Sequence, residues 1–216
     1  VFAMITIIWL AAAALYGMFL YWYFNWSGPL SEAEVEQIIG RFSEQSGSGK
    51  TDLEVLRTFL KQDDGKEFVM QNSVKLHPGS IPHPVTGDSV TARDLLEGYT
   101  KPFIKALFAR GGHPVYMARK VGGYIDSWSC DADPQWTVTA MMRYRSRRDL
   151  AVLASDSRFS AIHSFKTLAI AATVSFPVQI QLGFFMRPPV YVPLMLLWLA
   201  SMLHFATVIF VPLRPL

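Results

Sequence analysis

Apolar residues concentrate at the two ends of this chain. "VFAMITIIWLAAAALYGMFLYWYF" (1–24) and "VYVPLMLLWLASMLHFATVIFV" (190–211) carry no charge, and every charged side chain except Arg214 lies between them. Each run exceeds the roughly 20 residues that cross a hydrocarbon core of about 30 Å. The pattern predicts transmembrane helices over 1–26 and 188–212, with a soluble domain between them and both termini on one side. The first run lacks a basic leader, and its apolar stretch is longer than a signal peptide's, so it reads as a retained anchor. Tyr21, Trp22, Tyr23, Phe24 and Trp26 form an aromatic belt of the kind found at membrane interfaces, and Tyr191 plays that part for the second helix.

Between the anchors the periodicity changes twice. Residues 27–65 predict two amphipathic helices joined by a Gly/Ser linker. Ser31 and Glu34 have capping-box spacing before the stripe Val35, Ile38, Ile39 and Phe42. Thr51 and Glu54 repeat that spacing before Leu53, Leu56, Phe59 and Leu60. The linker's "GSGKT" is not a phosphate-binding loop. Glu44 stands where the first glycine is required, and no apolar strand precedes it.

Residues 66–183 predict a second unit. "FVMQNSVKL" alternates as a strand, and "HPGSIPHPVTGDS" reads as a Pro/Gly loop. A helix then runs from the cap pair Thr91 and Asp94 to Gly111 and Gly112. "HPVYMARKVGGYID" and "QWTVTAMMRYR" are two further strands, and "RRDLAVLASDSRFSAIHSFKTLAIAA" is helical in two pieces. In the next stretch Val174, Phe176, Val178, Ile180 and Leu182 alternate with polar or proline positions. That period, with Pro177 inside it, fits an edge strand better than a spanning helix. The order is βαββαβ, so the predicted class is α+β with a ferredoxin-like domain. Two helices cover one sheet face, and the other face needs another partner.

Composition narrows the function classes. The chain of 216 residues is 51% hydrophobic and 17% charged, with a formal net charge of +3. Such a balance points to neither nucleic acid nor an acidic partner. The single Cys130 excludes an internal disulfide. The histidines form no metal set: His77 and His83 lack an obvious third ligand, His113 opens a strand, and His163 stands alone on a helix. No Ser-His-Asp or Cys-His arrangement is present. The sequence predicts no cofactor.

"MMRYRSRRDL" (141–150) puts four arginines within six residues. Ser146 and Asp149 have capping-box spacing, which makes half of the motif joinery and leaves Arg147 and Arg148 solvated or paired. Strand alternation puts Arg143 and Arg145 on one face, with Met141 and Thr139. Buried there, they need carboxylates, for which Asp126, Asp131 and Asp133 are candidates, or an anionic ligand. With His113 and Tyr116 they are the candidate pocket or ion-pair set. Basic residues aimed in several directions do not make a nucleic-acid surface.

"FVMQNSVKL", "YTKPFIKALFARGGHPVY" and "MMRYRSRRDLAVLASDSRFSAIHSFKTLAIAATVSFPV" occur in the order of a bacterial domain-of-unknown-function family in the dimeric α+β barrel superfamily. The resemblance spans residues 66–182 and covers neither anchor nor the two helices after the first. It implies the ferredoxin-like fold and self-association through the barrel sheet. Superfamily relatives include cofactor-independent oxygenases, lactone isomerases, lyases and haem enzymes, so it selects no activity. The chain departs from the pattern at "KTLAIAATVSFP", where a charged residue is expected.

Two readings follow. The favoured one is a non-catalytic accessory or assembly subunit of a larger membrane complex, two-pass in a bacterial inner membrane, with its domain in the cytoplasm. The other is a membrane-tethered, cofactor-independent barrel enzyme acting on a small apolar substrate. In the anchors, Ala13 and Gly17 have the small-xxx-small spacing of close helix packing. His204 lies inside an uncharged span, where an ionisable side chain faces protein or a cofactor rather than lipid. A bond to Ser201 or a nearby carbonyl is its simplest satisfaction.

Overall fold

The computed structural model describes residues 1–45, 52–183 and 186–210. Thr51, Lys50 with its Gly/Ser neighbours, and Arg214 lie outside these. In chain order the elements are α1 (Phe2–Tyr23), α2 (Glu32–Gln45), α3 (Leu53–Lys61), β1 (Phe68–Leu76), β2 (Ser80–Pro82), β3 (Ser89–Thr91), α4 (Ala92–Ala109), β4 (His113–Arg119), β5 (Val138–Tyr144), α5 (Arg147–Ala154), a 3-10 turn (Ser157–Phe159), α6 (His163–Ala169), β6 (Ile170–Val178) and α7 (Pro188–Phe210). They form two compact units. One contains residues 1–24 and 181–216, the other residues 25–180.

In the first unit α1 and α7 are both long and apolar enough to cross a membrane. They pack antiparallel, Trp9 meeting His204 and Tyr16 meeting Pro189. The contact stripe on α1 is Ile5, Ile8, Trp9, Ala12 and Tyr16, which recur at helical spacing. Ala13 and Gly17 are exposed instead, and a Cβ on Gly17 would meet nothing within 4 Å. The small-residue pair is therefore not the contact between the chain's own two helices. Trp9 and Tyr16 make the bonds across it, so close backbone approach is not required.

The second unit is built on a four-stranded antiparallel sheet with the order β4-β5-β1-β6. β1 is central and pairs with β5 from Phe68↔Tyr144 to Val74↔Val138. On one face Phe68, Tyr144, Leu107, Leu153 and Phe159 form the main core, with Met70, Met142, Tyr99 and Phe103 packed around them. α4 and the α5–α6 segment supply that cover. Glycine is required where α4 turns into β4. Gly111 adopts φ +72°, and the amides of Gly111 and Gly112 bond the carbonyls of Phe108 and Leu107, closing a Schellman turn. A Cβ on Gly112 would lie 2.4 Å from Leu107 Cδ1 and 2.6 Å from the Arg143 carbonyl. On the opposite face Val174 and Phe176 of β6 are 45% and 46% exposed.

Two local expectations are corrected. The Pro/Gly stretch holds a short hairpin, β2 against β3, because His83 and Asp88 close a turn around Gly87 at φ +76°. β6 starts at Ile170 and stops at Val178, leaving Ile180 and Leu182 outside it. Its partner β1 begins at Phe68, so no strand remains to pair beyond Val69↔Val178. The cap of α3 is Asp52, whose carboxylate accepts from the amides of Glu54 and Val55; Thr51, expected with Glu54 as a capping pair, lies outside the described residues.

α2 and α3 belong to the same compact unit as the sheet. Val35, Ile39 and Leu60 are their shared core. Phe59 joins it to the sheet core, with its ring edge-on to Phe68 at 5.2 Å.

Candidate functional site

The four arginines sit at the end of β5 and the start of α5. Each is committed to a different part of the second unit. Arg143 is 3% exposed; its guanidinium donates to Glu67 at 2.7 Å and to the Gly111 carbonyl. The carboxylates expected from the sequence do not serve it: Asp133 pairs with Lys120, while Asp126 and Asp131 lie on an exposed loop. Arg145 falls one residue beyond the strand, where alternation no longer applies. It turns to Asp149, with bonds of 2.9 and 3.0 Å. Arg147 lies over the Phe59 ring at 4.4 Å, donates to the Phe59 carbonyl, and reaches Asp63 at 3.4 Å. Arg148 bonds Glu34 at 2.9 Å and the carbonyls of Gly28 and Pro29.

Two capping boxes anchor this network. Ser146 Oγ accepts from the Asp149 amide at 3.1 Å and donates to its carboxylate at 2.7 Å, with both residues buried. Ser31 and Glu34 make the equivalent pair at the start of α2. Arg148 and then the Ser31 donors hold the Glu34 carboxyl down to about 2. Glu34 therefore serves its own helix and the end of the arginine cluster together. The cluster fastens α2 and α3 to the sheet unit.

His113 and Tyr116 are on β4. His113 stands opposite Arg143 in the sheet register, and its Nδ1 donates to the Pro114 carbonyl at 2.9 Å. Burial, with Arg143 beside it, pushes the imidazole down from its usual range and favours the neutral ring. A register shift between Pro114 and Tyr116 brings Tyr116 opposite Met141. Arg143 and His113 are thus neighbours, but Arg145 is directed elsewhere, and the four residues do not converge on one cavity.

A concavity opens on the helical side. A cleft of about 620 Å³ is lined by Lys105, Arg110, Arg145, Arg158, Phe159 and Ile162, with small residues of α4. Sequence reasoning missed it, and missed Glu67 as well. Once Val69 is known to face Arg143, Glu67 becomes a diagonal cross-strand neighbour. The register, invisible in the sequence, carried that signal. No group of three or more His, Cys, Asp or Glu side chains suited to a metal occurs among the described residues.

In the helix pair, Trp9 Nε1 donates to His204 Nδ1 at 3.3 Å, with the rings edge-on. Ser201 donates to its own helix at Leu197, so the expected Ser201–His204 bond is replaced by an interhelical one. An indole N–H can only donate, so His204 Nδ1 is the acceptor and Nε2 carries the proton.

No protein-family model and no curated protein matches the chain. The chain is similar to the crystal structure of RPA0582, a protein of unknown function from Rhodopseudomonas palustris. The identity is 17% and the TM-score 0.49, over 62% of this chain and 97% of that one. The crystal structure of the methylated RPA0582 protein aligns at 16% identity and a TM-score of 0.51, over 65% of this chain and 99% of that one. The second likeness speaks for a shared fold and for nothing about activity.

Proposed function

We propose that this chain is a non-catalytic accessory or assembly subunit of a larger membrane protein complex. It sits two-pass in a bacterial inner membrane through α1 and α7, with the intervening unit in the cytoplasm. That unit is ferredoxin-like, of the dimeric α+β barrel type, and mediates subunit contacts. Its sheet face carrying Val174 and Phe176 meets a second copy, and it does not bind nucleic acid.

The observation that carries this reading is how the candidate site residues are spent. An enzyme of this fold would need Arg143, Arg145, His113 and Tyr116 around one pocket. Arg143 is buried under Glu67 and Gly111, and Arg145 is turned to Asp149. The helices support it from the other side. Most side chains of α1 and α7 are exposed, including Leu10, Met18, Trp198 and Phe205, and that surface suits lipid or other membrane subunits.

Purification from native membranes in a mild detergent tests the proposal. The expected result is other membrane subunits at fixed stoichiometry, retained through size exclusion. A chain that runs alone or only with itself overturns the assembly role.

A further inference from the structure

We infer that the cleft between α4 and the α5–α6 segment binds a small amphipathic anion: a phosphate monoester whose charged end meets Lys105, Arg110 and Arg145 and whose apolar part lies on Phe159 and Ile162. The cleft, at about 620 Å³, falls within the volume range of small-molecule sites. Its walls divide by chemistry. Lys105, Arg110, Arg145 and Arg158 supply charge, while Phe159, Ile162 and the alanines of α4 supply an apolar floor.

The local charge is not balanced. Arg145 and Arg110 share one carboxylate, Asp149, at 2.9 and 3.4 Å. Arg158 is matched by Asp156. Lys105 has no ion pair among the described residues, so four cations face two carboxylates. Arg110 also caps the C-terminal end of α4, where a cation is favourable. The surplus therefore rests on Lys105 and on the two-to-one ratio at Asp149. That surplus suits an anion, and Arg110 reaches Asp149 through one guanidinium nitrogen at 3.4 Å, a weak commitment that a phosphate oxygen would displace.

The inference does not depend on the assembly role. The two fail separately, since one is read from co-purification and the other from ligand titration. The test uses the full chain in phosphatidylcholine nanodiscs at 0.15 M salt, a strength at which remote charges are screened over about 8 Å. Phenyl phosphate and inorganic phosphate are titrated by calorimetry. Phenyl phosphate should saturate at one site and bind about tenfold more tightly than inorganic phosphate, because the ring covers the apolar floor. Lys105→Glu, at an exposed helical position, should weaken it about tenfold or more, while Lys105→Arg should retain it. Ile162→Gln should remove the advantage of phenyl phosphate over inorganic phosphate. Competition by short-chain phosphatidic acid, itself a phosphate monoester, below its micelle concentration assigns the natural ligand to a lipid headgroup, and absence of competition assigns it to a soluble phosphate monoester. Either source supports the site. Non-saturable binding by the wild-type chain, or equal binding by Lys105→Glu, overturns it.

Discussion

The two compact units are held by opposite means. In the unit of residues 25–180, charged side chains form the internal fastenings: Arg143 with Glu67, Arg145 with Asp149, Arg147 with Asp63 and Arg148 with Glu34. Among the described residues, no buried polar side-chain atom lacks a hydrogen-bond partner. In the helix pair the links among the described residues include apolar contact, an indole–imidazole bond and a tyrosine–carbonyl bond. The sheet unit satisfies its buried polar side chains internally. The helix pair leaves most of its apolar surface for something else to cover.

The sharpest way to break the contrast is Arg143→Ala. It removes the guanidinium partner of Glu67 and the donor to the Gly111 carbonyl. The cost should be about 3 kcal/mol, at the low end for a broken buried pair because Glu67 keeps some exposure. Chemical denaturation followed by far-UV circular dichroism measures it, and a change below about 1 kcal/mol would show the arginine to be dispensable. Gly112→Ala should follow at about 2 kcal/mol, since the new methyl meets a backbone carbonyl and Leu107. The matching change in the helix pair, Gly17→Ala, enters open space and should leave stability unchanged.

Smaller effects sharpen the same comparison. His204→Phe removes the acceptor for Trp9 and should weaken the α1–α7 contact by about 1 kcal/mol. The indole proton resonance of Trp9 should move upfield. If Trp9→Phe and the double variant cost the same as His204→Phe alone, the bond accounts for the effect; additive losses would disprove the link. The least effect is titration of Glu34. Its folded pKa, about 2, lies below the ordinary carboxylate value of 4.5, so its contribution is present above that value and is lost as pH falls toward 2. Exchange of α2 amides should accelerate over that window. Arg148→Ala should flatten the dependence, and an unchanged profile would remove Arg148 as the cause.

Much of the local structure was legible along the chain. The charge-free runs marked α1 and α7, and the alternation of Phe68, Met70, Val74 and Leu76 with more polar neighbours marked β1. Ser31–Glu34, Thr91–Asp94 and Ser146–Asp149 are side-chain bonds three residues apart, so spacing alone exposes them. Pro177 and the period of two separated β6 from a membrane helix, although its ends were displaced. All of these depend on near neighbours in sequence, and their geometry follows from the backbone period.

Tertiary structure decided the rest. The partner of Arg143 is 76 residues away, that of Arg148 is 114 away and that of His204 is 195 away. Nothing in a one-dimensional pattern chooses Glu67 over Asp133, because the choice rests on β1 and β5 pairing with Val69 opposite Arg143. The cleft likewise exists only because α4 and the α5–α6 segment lie side by side on the sheet, bringing Lys105 and Arg158 to one opening. Sequence fixes which side chains are able to pair. Chain register and packing fix which of them are close enough to do so, since a charge pair forms strongly only within a few ångströms.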